Sequence, residues 1–398
     1  MRPQSTPDVK LHNESIASFG TRHIVLLLLL MACGFLVVGQ LYVTIPLVAD
    51  VAGRFSIAPE RAAWIGSAFG FAYATGFLVF GPLSDRFGRR RLILFGLTAT
   101  ALATVVVSLA QSFEMLLAAR AMQGFVAAAF PPAALSLIAE ELPPDQRPFG
   151  VSLMSFAFLG AAPLAQVFAA GTDLGLSEIM LPLAPIYLLA ALALFFVTQA
   201  NNTQAVRAGS SQGKLGSLLQ DAGILAAWAA AVTVLFGFVS LHAGAQSLGA
   251  DLGVDLQTLR LVGLPPLLLT FAAAPLTRRR GAAFTARLGL VFAGLALVLA
   301  AIGTAWAVMG ASVVLSAGVA FAVPGLIATV AGRATNANRG LALALYTFSL
   351  FVGASLAPPI AQSLAQSGPA PLWLLPAGLL LMAALGITVT RKSSSPSP

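Results

Sequence analysis

The stretch Gly81-Pro82-Leu83-Ser84-Asp85-Arg86-Phe87-Gly88-Arg89-Arg90-Arg91 lies between two apolar runs, each long enough to cross a bilayer. It gathers one carboxylate, four arginines and two glycines into a turn. Glycine lets the backbone reverse sharply, and a carboxylate can accept from a helix N-terminus or from arginine. Arginines flanking an apolar run mark a membrane surface. The flanking runs therefore read as membrane helices joined by a charged hinge.

Composition agrees with that reading. The 398 residues are 58% hydrophobic and 9% charged, against about a quarter charged in a soluble domain. The net charge of +8 does not indicate a nucleic-acid partner, because the arginines lie in short loops between apolar runs and not on a basic soluble face. The lone Cys33 cannot build a disulfide framework or a thiolate metal site. His12, His23 and His242 are scattered, with no second ligand at metal spacing. No nucleophile elbow, phosphate loop or dinucleotide fingerprint occurs, so the sequence predicts no enzyme, no metal and no cofactor.

Windows of apolar residues bounded by charge or Pro/Gly predict spans at 23–49, 62–82, 91–111, 114–139, 148–170, 181–199, 221–243, 257–277, 284–303, 305–331, 340–363 and 371–390. The first run, Ile24–Val48, lacks a small-x-small cleavage site and reads as a retained helix, not a leader. Residues 1–22 form a tail, 23–199 a first six-helix bundle, 200–220 a polar flexible linker, 221–390 a second bundle and 391–398 a second tail. The predicted class is an all-α membrane protein of twelve transmembrane helices in two pseudo-symmetric bundles.

With the N-terminus inside, eighteen Lys and Arg fall in inside segments and three, Arg54, Arg61 and Arg260, outside. Both termini are therefore expected in the cytoplasm. An internal repeat fits this layout. Ala274-Pro275-Leu276-Thr277-Arg278-Arg279-Arg280-Gly281 follows the first hinge by 193 positions, and Pro324 follows Pro131 by the same offset. Asp85 has become Arg278 in the copy, so the acidic partner exists in one hinge only.

The first hinge resembles the loop between helices two and three of the major facilitator superfamily, consensus Gly-x-Leu-x-Asp-Arg-x-Gly-Arg-Arg. Every position is filled, by Gly81, Leu83, Asp85, Arg86, Gly88, Arg89 and Arg90. By that resemblance Gly81, Asp85, Arg86, Gly88, Arg89 and Arg90 form a cytoplasmic latch that holds the halves together when the transporter opens outward.

Arg120 is the only basic residue the sequence places within the depth of a span, where a charge costs about 2.5–3.5 kcal/mol on insertion scales. It shares a helix face with Gln123 and Gly124 at i+3 and i+4. These residues resemble the Arg-x-x-Gln-Gly motif of drug–proton antiporters, which ties Arg120, Gln123 and Gly124 to proton coupling. The span-five hallmark of those antiporters is degraded. Aligned on Pro163, its glycines are replaced by Phe158, Ala162, Gln166 and Val167, although Gly160–Ala162 are small enough for close helix contact. No Asp or Glu lies deep in a span, since Asp50, Glu114, Glu140 and Asp221 fall at ends. Arg120 would then work with Asp50 or with a water chain.

A central chamber is expected from Gln40 and Thr44 at i, i+4 in span one, Phe236 and Ser240 in span seven, and Arg120 and Gln123 in span four. Mostly apolar with few polar fixtures, it suits an amphipathic or aromatic solute. The resemblance covers the whole chain and is nearest to twelve-helix drug:proton antiporters. It implies an exporter of small amphipathic molecules by proton antiport with rocker-switch alternating access, acting as a monomer in a bacterial inner membrane. The rivals are a sugar or amino-acid permease, or an uncoupled facilitator, and a receptor or scaffold that has lost transport.

The orientation is testable by labelling. With Cys33 replaced, Ser177→Cys should react with an impermeant thiol reagent added to intact cells and Ser211→Cys should not. The reverse pattern would overturn the arginine count.

Overall fold

The computed structural model describes residues 20–143, 146–198, 215–335 and 338–392. The tail residues 1–19 and 393–398 and the linker residues 199–214 lie outside them. Among the described residues the elements are all helical. Hydrocarbon offers the backbone no hydrogen bonds, so each apolar run must satisfy its own amides as a helix. Twelve spans result: one Thr21–Tyr42, two Pro59–Ser84, three Arg89–Ser108, four Phe113–Glu141, five Phe149–Ala170 and six Leu176–Val197. The second set is seven Ala222–Leu248, eight Leu256–Arg280, nine Ala282–Ala300, ten Ala305–Arg333, eleven Arg339–Ala365 and twelve Pro369–Thr388.

Proline corrects several expected boundaries. Span one ends at Tyr42 and not at 49, because the chain turns through 43–47 around Pro46 before the short helix Val48–Phe55. Span four is two helices, Phe113–Ala127 and Phe130–Glu141, with Pro131 and Pro132 in the first turn of the second, where a missing N–H costs least. Span eight is Leu256–Val262, a 3-10 turn at Pro265–Leu269, and Thr270–Arg280. Span six begins at Leu176, earlier than the expected 181, and span seven runs on to Leu248.

The expected linker is not wholly irregular. Leu215–Leu219 is a short helix with Leu218 buried. Asp221, expected as the first residue of span seven, is its cap and accepts from the amides of Gly223 at 2.8 Å and Ile224 at 3.0 Å. Burial pulls the Asp221 carboxyl upward, but the Arg333 guanidinium and these amides hold it below the ordinary carboxylate range.

Within the first half, span one packs on five, two on four and three on six. The second half repeats this as seven on eleven, eight on ten and nine on twelve. The repeat holds at the level of single contacts. Gly88 and Gly281 turn the two hinges at φ 88° and 91°, a left-handed backbone that a side chain would strain. A Cβ on Gly96 would lie 2.8 Å from Ala129, and one on Gly289 would lie 2.3 Å from Ala322. Both pairs are displaced by the offset of 193 that separates the hinges.

Two contacts join the halves. Span two crosses eleven, where the Ser67 hydroxyl donates to Ser355 O at 2.6 Å and Phe351 packs on Tyr73 and Phe77 at 4.7 and 5.5 Å. Span five meets eight through Phe149 and Phe156 against Phe271, at 6.1 and 6.3 Å. At the end away from the hinges, called here the far end, Gln366 of span eleven donates to Glu60 of span two at 2.6 Å. Gln257 of span eight also donates to Val167 O of span five there, at 3.4 Å.

Helix crossings this close leave no room for a methyl group. A Cβ on Gly353 would lie 1.9 Å from Val232 O of span seven, whereas one on Gly378 meets nothing within 4 Å. Gly353→Ala should cost about 1–3 kcal/mol by overpacking, and Gly378→Ala should leave stability unchanged. Thermal unfolding of the purified proteins in detergent measures both.

Candidate functional site

The deepest polar cluster lies in the first half and is centred on Arg120. The sequence puts a guanidinium seven residues into the helix Phe113–Ala127, about 10 Å below its capped end at about 1.5 Å per residue. There it is fully buried, so its N–H groups need protein acceptors. One terminal nitrogen donates to Gln123 Oε1 at 2.5 Å and the other to Gln40 O at 2.6 Å. Nε reaches Ile65 O at 3.4 Å, and the guanidinium sits 4.5 Å from the Phe69 ring centroid. All three acceptors are neutral, so the site keeps its positive charge.

The cluster extends through amides and hydroxyls. Gln123 Nε2 donates to Thr104 Oγ1 at 2.7 Å and lies 3.5 Å from Gln40 Oε1. Gln40 Nε2 donates to the Tyr187 hydroxyl at 3.0 Å, and that hydroxyl donates to Leu36 O at 2.8 Å. Arg120 is thus a tie between spans one, two and four, not an isolated charge. Tyr187 and Thr104 extend the tie to spans six and three.

Gln40, Arg120 and Gln123 are therefore brought together as the sequence predicts. Gly124 stands beside them for a packing reason, because a Cβ there would lie 2.1 Å from Phe69 O. Thr44 does not join them. It lies past the end of span one, and its hydroxyl bonds back to Leu41 O at 3.4 Å. The i, i+4 relation to Gln40 fails because the helix stops at Tyr42. Asp50, expected as a partner for Arg120, sits at the far end on Val48–Phe55. A Cβ on Gly175 would meet both its carboxylate and that of Glu178.

Phe236 and Ser240 are buried in span seven of the second half. No described hydrogen bond or ring contact links them to Arg120, and the Ser240 hydroxyl has no hydrogen-bond partner among the described residues. Pro163 lies inside the helix Arg147–Ala170. Small residues of span five, Ala157, Ala161 and Ala165, pack closely against glycines of span one. Gly34 abuts Met154, Ala157 and Phe158, and Gly39 abuts Ala165.

At the first hinge, Gly81 faces open space and the Arg86 guanidinium lies 5.4 Å from the Phe87 ring centroid. The Asp85 side chain lies outside the described residues. Arg89 pairs with Glu140. Arg90 donates to Thr198 Oγ1 at 2.8 Å and to Phe195 O at 2.6 Å. These contacts stay within the first half, where Arg22 also pairs with Glu141 at 2.6 Å. A latch between the halves is not what these particular bonds make.

Two residues escaped the sequence reading. Tyr187 is a phenol in the middle of an apolar span, a signal that it needs a buried partner. Arg260, counted among the outside charges, is 2% exposed within span eight and donates to Gln246 Oε1 at 2.6 Å. The predicted span 257–277 already ran across it. A second buried guanidinium therefore accompanies Arg120. Near it, Glu60, Gln246, Ser247, Gln362 and Gln366 help line a far-end cavity of about 420 Å³ between the halves. Among the described residues no cluster of His, Cys, Asp and Glu is arranged to hold a metal.

Comparison with known proteins places these features in a wider group. A family model described as Major Facilitator Superfamily matches residues 30–265, more than half of the chain. Multidrug resistance protein D of Escherichia coli (strain K12) is 39% identical over 99 residues, 24% of this chain and 25% of that protein. Multidrug resistance protein 3 of Bacillus subtilis (strain 168) is 32% identical over 124 residues, 29% of this chain and 23% of that protein. The Methylenomycin A resistance protein of the same organism is 33% identical over 128 residues, 32% of this chain and 26% of that protein. The matched stretches span about a quarter of each relative's length.

Gln123→Leu tests the tie, because it strands an Arg120 N–H in the core and removes the amide that donates to Thr104, whose own bond to Thr100 O remains. It should lower unfolding stability by about 1–3 kcal/mol, while Thr44→Val, outside the cluster, should not. Equal thermal stability of the two variants would remove the structural role assigned to Gln123.

Proposed function

The chain belongs to the Major Facilitator Superfamily, and on that basis we propose that it exports small amphipathic organic molecules from the cell in exchange for protons. The observation that carries the reading is Arg120, a buried cation whose fork is held by neutral acceptors from three spans. A site built this way keeps a fixed positive charge that a proton or a charged solute arriving nearby must feel, and a low dielectric magnifies that influence. The relatives named for multidrug and antibiotic resistance support the export of organic molecules.

In this reading the halves, residues 23–199 and 221–390 joined by 200–220, rock about the seams of span two on eleven and span five on eight. Both termini are cytoplasmic, the membrane is the bacterial inner membrane and the working unit is a monomer. Gln40, Arg120 and Gln123 from the first half face the solute together with Phe236 and Ser240 from the second. The unpartnered Ser240 hydroxyl is available to a solute. The hinge residues Gly81, Asp85, Arg86, Gly88, Arg89 and Arg90 act as the latch of the outward-open state, with Asp85 exchanging partners between states.

A second reading, an uncoupled facilitator, draws on one observation. The carboxylates of the described spans, Glu60, Glu114, Glu140, Glu141 and Glu178, all lie in first or last turns.

One assay separates the two. In cells stripped of other pumps, export of ethidium, an amphipathic aromatic cation, should stop when a protonophore collapses the pH gradient. Arg120→Lys keeps the charge but cannot reach three acceptors with one ammonium, so it should fail to pump. Asp85→Asn should reach the membrane and pump poorly, since about 1.4 kcal/mol lost from one state shifts the switch tenfold. Export that ignores the protonophore would leave the facilitator reading in place, and full protonophore-sensitive export by Arg120→Lys would remove the Arg120 fork from the mechanism.

A further inference from the structure

Proton exchange needs a side chain within the membrane that takes up a proton and gives it back. Arg120 does not meet that need, because a guanidinium stays charged throughout the cycle. Arg260 fails for the same reason. The carboxylates sit at span ends, and phenols and the Cys33 thiol ordinarily titrate well above neutral. Among the described residues away from span ends one side chain remains, since His23 lies in the first turn of span one. His242 lies in span seven, more than a turn from its far end, and is buried. Imidazole is the side chain whose ordinary titration falls near physiological pH.

The geometry around His242 suits this work. Nδ1 lies 2.9 Å from Phe238 O. A carbonyl only accepts, so Nδ1 carries the hydrogen and the neutral ring keeps its basic lone pair on Nε2. The ring is steadied by Phe238, with centroids 4.9 Å apart. Gln246 lies four residues on, along the same helix face, and lines the far-end cavity. The amide thus lies one turn nearer the cavity than His242, with its oxygen held by Arg260 at 2.6 Å.

The charge tied to this helix face is Arg260 of span eight, bonded to Gln246 one turn on from His242, and the first turn of span eight is capped by Asp255. The other spans packed on seven are nine, ten, eleven and twelve. Among the described residues their one uncharged titratable group is Tyr346, in the hinge-side part of span eleven and bonded to Val323 O at 3.3 Å. Their charges among the described side chains, Arg287, Arg333 and Arg339, lie toward the hinge end. An imidazolium at His242 would be repelled by Arg260, and among the described residues no ion pair holds it, with Asp255 and Glu60 standing at the far end.

We propose that His242 is the proton carrier, loading Nε2 from the far-end cavity past Gln246 and releasing the proton on the hinge side when a cationic solute enters between the halves. Solute and proton exclude one another because two positive charges at short range in a low-dielectric chamber repel. This rests on the antiport reading above, and it moves the proton from Arg120, which orders the site, to the opposite half.

The test uses the full chain in proteoliposomes with ethidium as the probe. Wild type should accumulate ethidium against an imposed pH gradient and also catalyse ethidium counterflow without one. His242→Gln keeps a hydrogen-bonding side chain that cannot protonate. It should lose gradient-driven accumulation to the level of empty liposomes while counterflow persists, a split that mere misfolding would not produce.

A second arm needs no change at position 242. In a His12→Gln, His23→Gln background, carbethoxylation of the one remaining histidine should abolish accumulation, and hydroxylamine should restore it. Undiminished accumulation by His242→Gln, or after complete modification in that background, overturns the assignment and leaves antiport standing. Wild-type accumulation that is indifferent to the gradient overturns antiport itself.

Discussion

A guanidinium inside hydrocarbon must be surrounded by acceptors, and here the acceptors come from different helices. Arg120 takes a carbonyl from span one, a carbonyl from span two and an amide from its own span. Those bonds fix where three helices stand relative to one another. Gln123 and Gln40 then pass the constraint on to Thr104 and Tyr187, so that five of the six spans in the first half are joined by one polar network. In water such bonds would add little. In lipid an unmet donor has nowhere to turn, which makes the network a condition of assembly.

The rest of the fold is arranged by close contact of small residues. Glycine at 96, 124, 289 and 353 brings backbones to distances that a methyl group would forbid. Lipid tails are as apolar as leucine, so span association draws on packing and interhelical bonds in place of the hydrophobic effect. The equivalence of Gly96 on Ala129 with Gly289 on Ala322 means that both halves solved the same packing problem in the same way. Their polar residues then diverged, as the exchange of Asp85 for Arg278 already indicates.

What was legible in the sequence follows from how local each signal is. The hinge was readable because its glycines and arginines act within a single turn, and the backbone at Gly88 and Gly281 has the positive φ that this demands. The twelve spans were readable from run length, but their ends were not wherever proline altered the helix. Thr44 was misplaced because periodicity was carried through Pro46. Tyr187 and Arg260 were overlooked because their partners, Gln40 and Gln246, stand 147 and 14 positions away. The small residues of span five indicate a close contact, but its partners Gly34 and Gly39 stand in span one, more than a hundred positions away, and carry no local sign of it.

The two halves differ most in the kind of charge they bury. Arg120 and Arg260 are both buried and both bond a glutamine oxygen, at 2.5 and 2.6 Å. Around Arg120 the cluster is closed by neutral dipoles, so its charge is permanent and its geometry is fixed. Around Arg260 the neighbouring span carries an imidazole, whose charge is conditional. A permanent charge can orient a solute but cannot count protons. A conditional charge can count protons, but it needs a fixed positive neighbour to make release favourable. In the proposed antiport cycle, dividing these tasks between the halves would let one rigid-body motion change the separation of the two sites, so that moving a solute would also change the environment in which a proton is held.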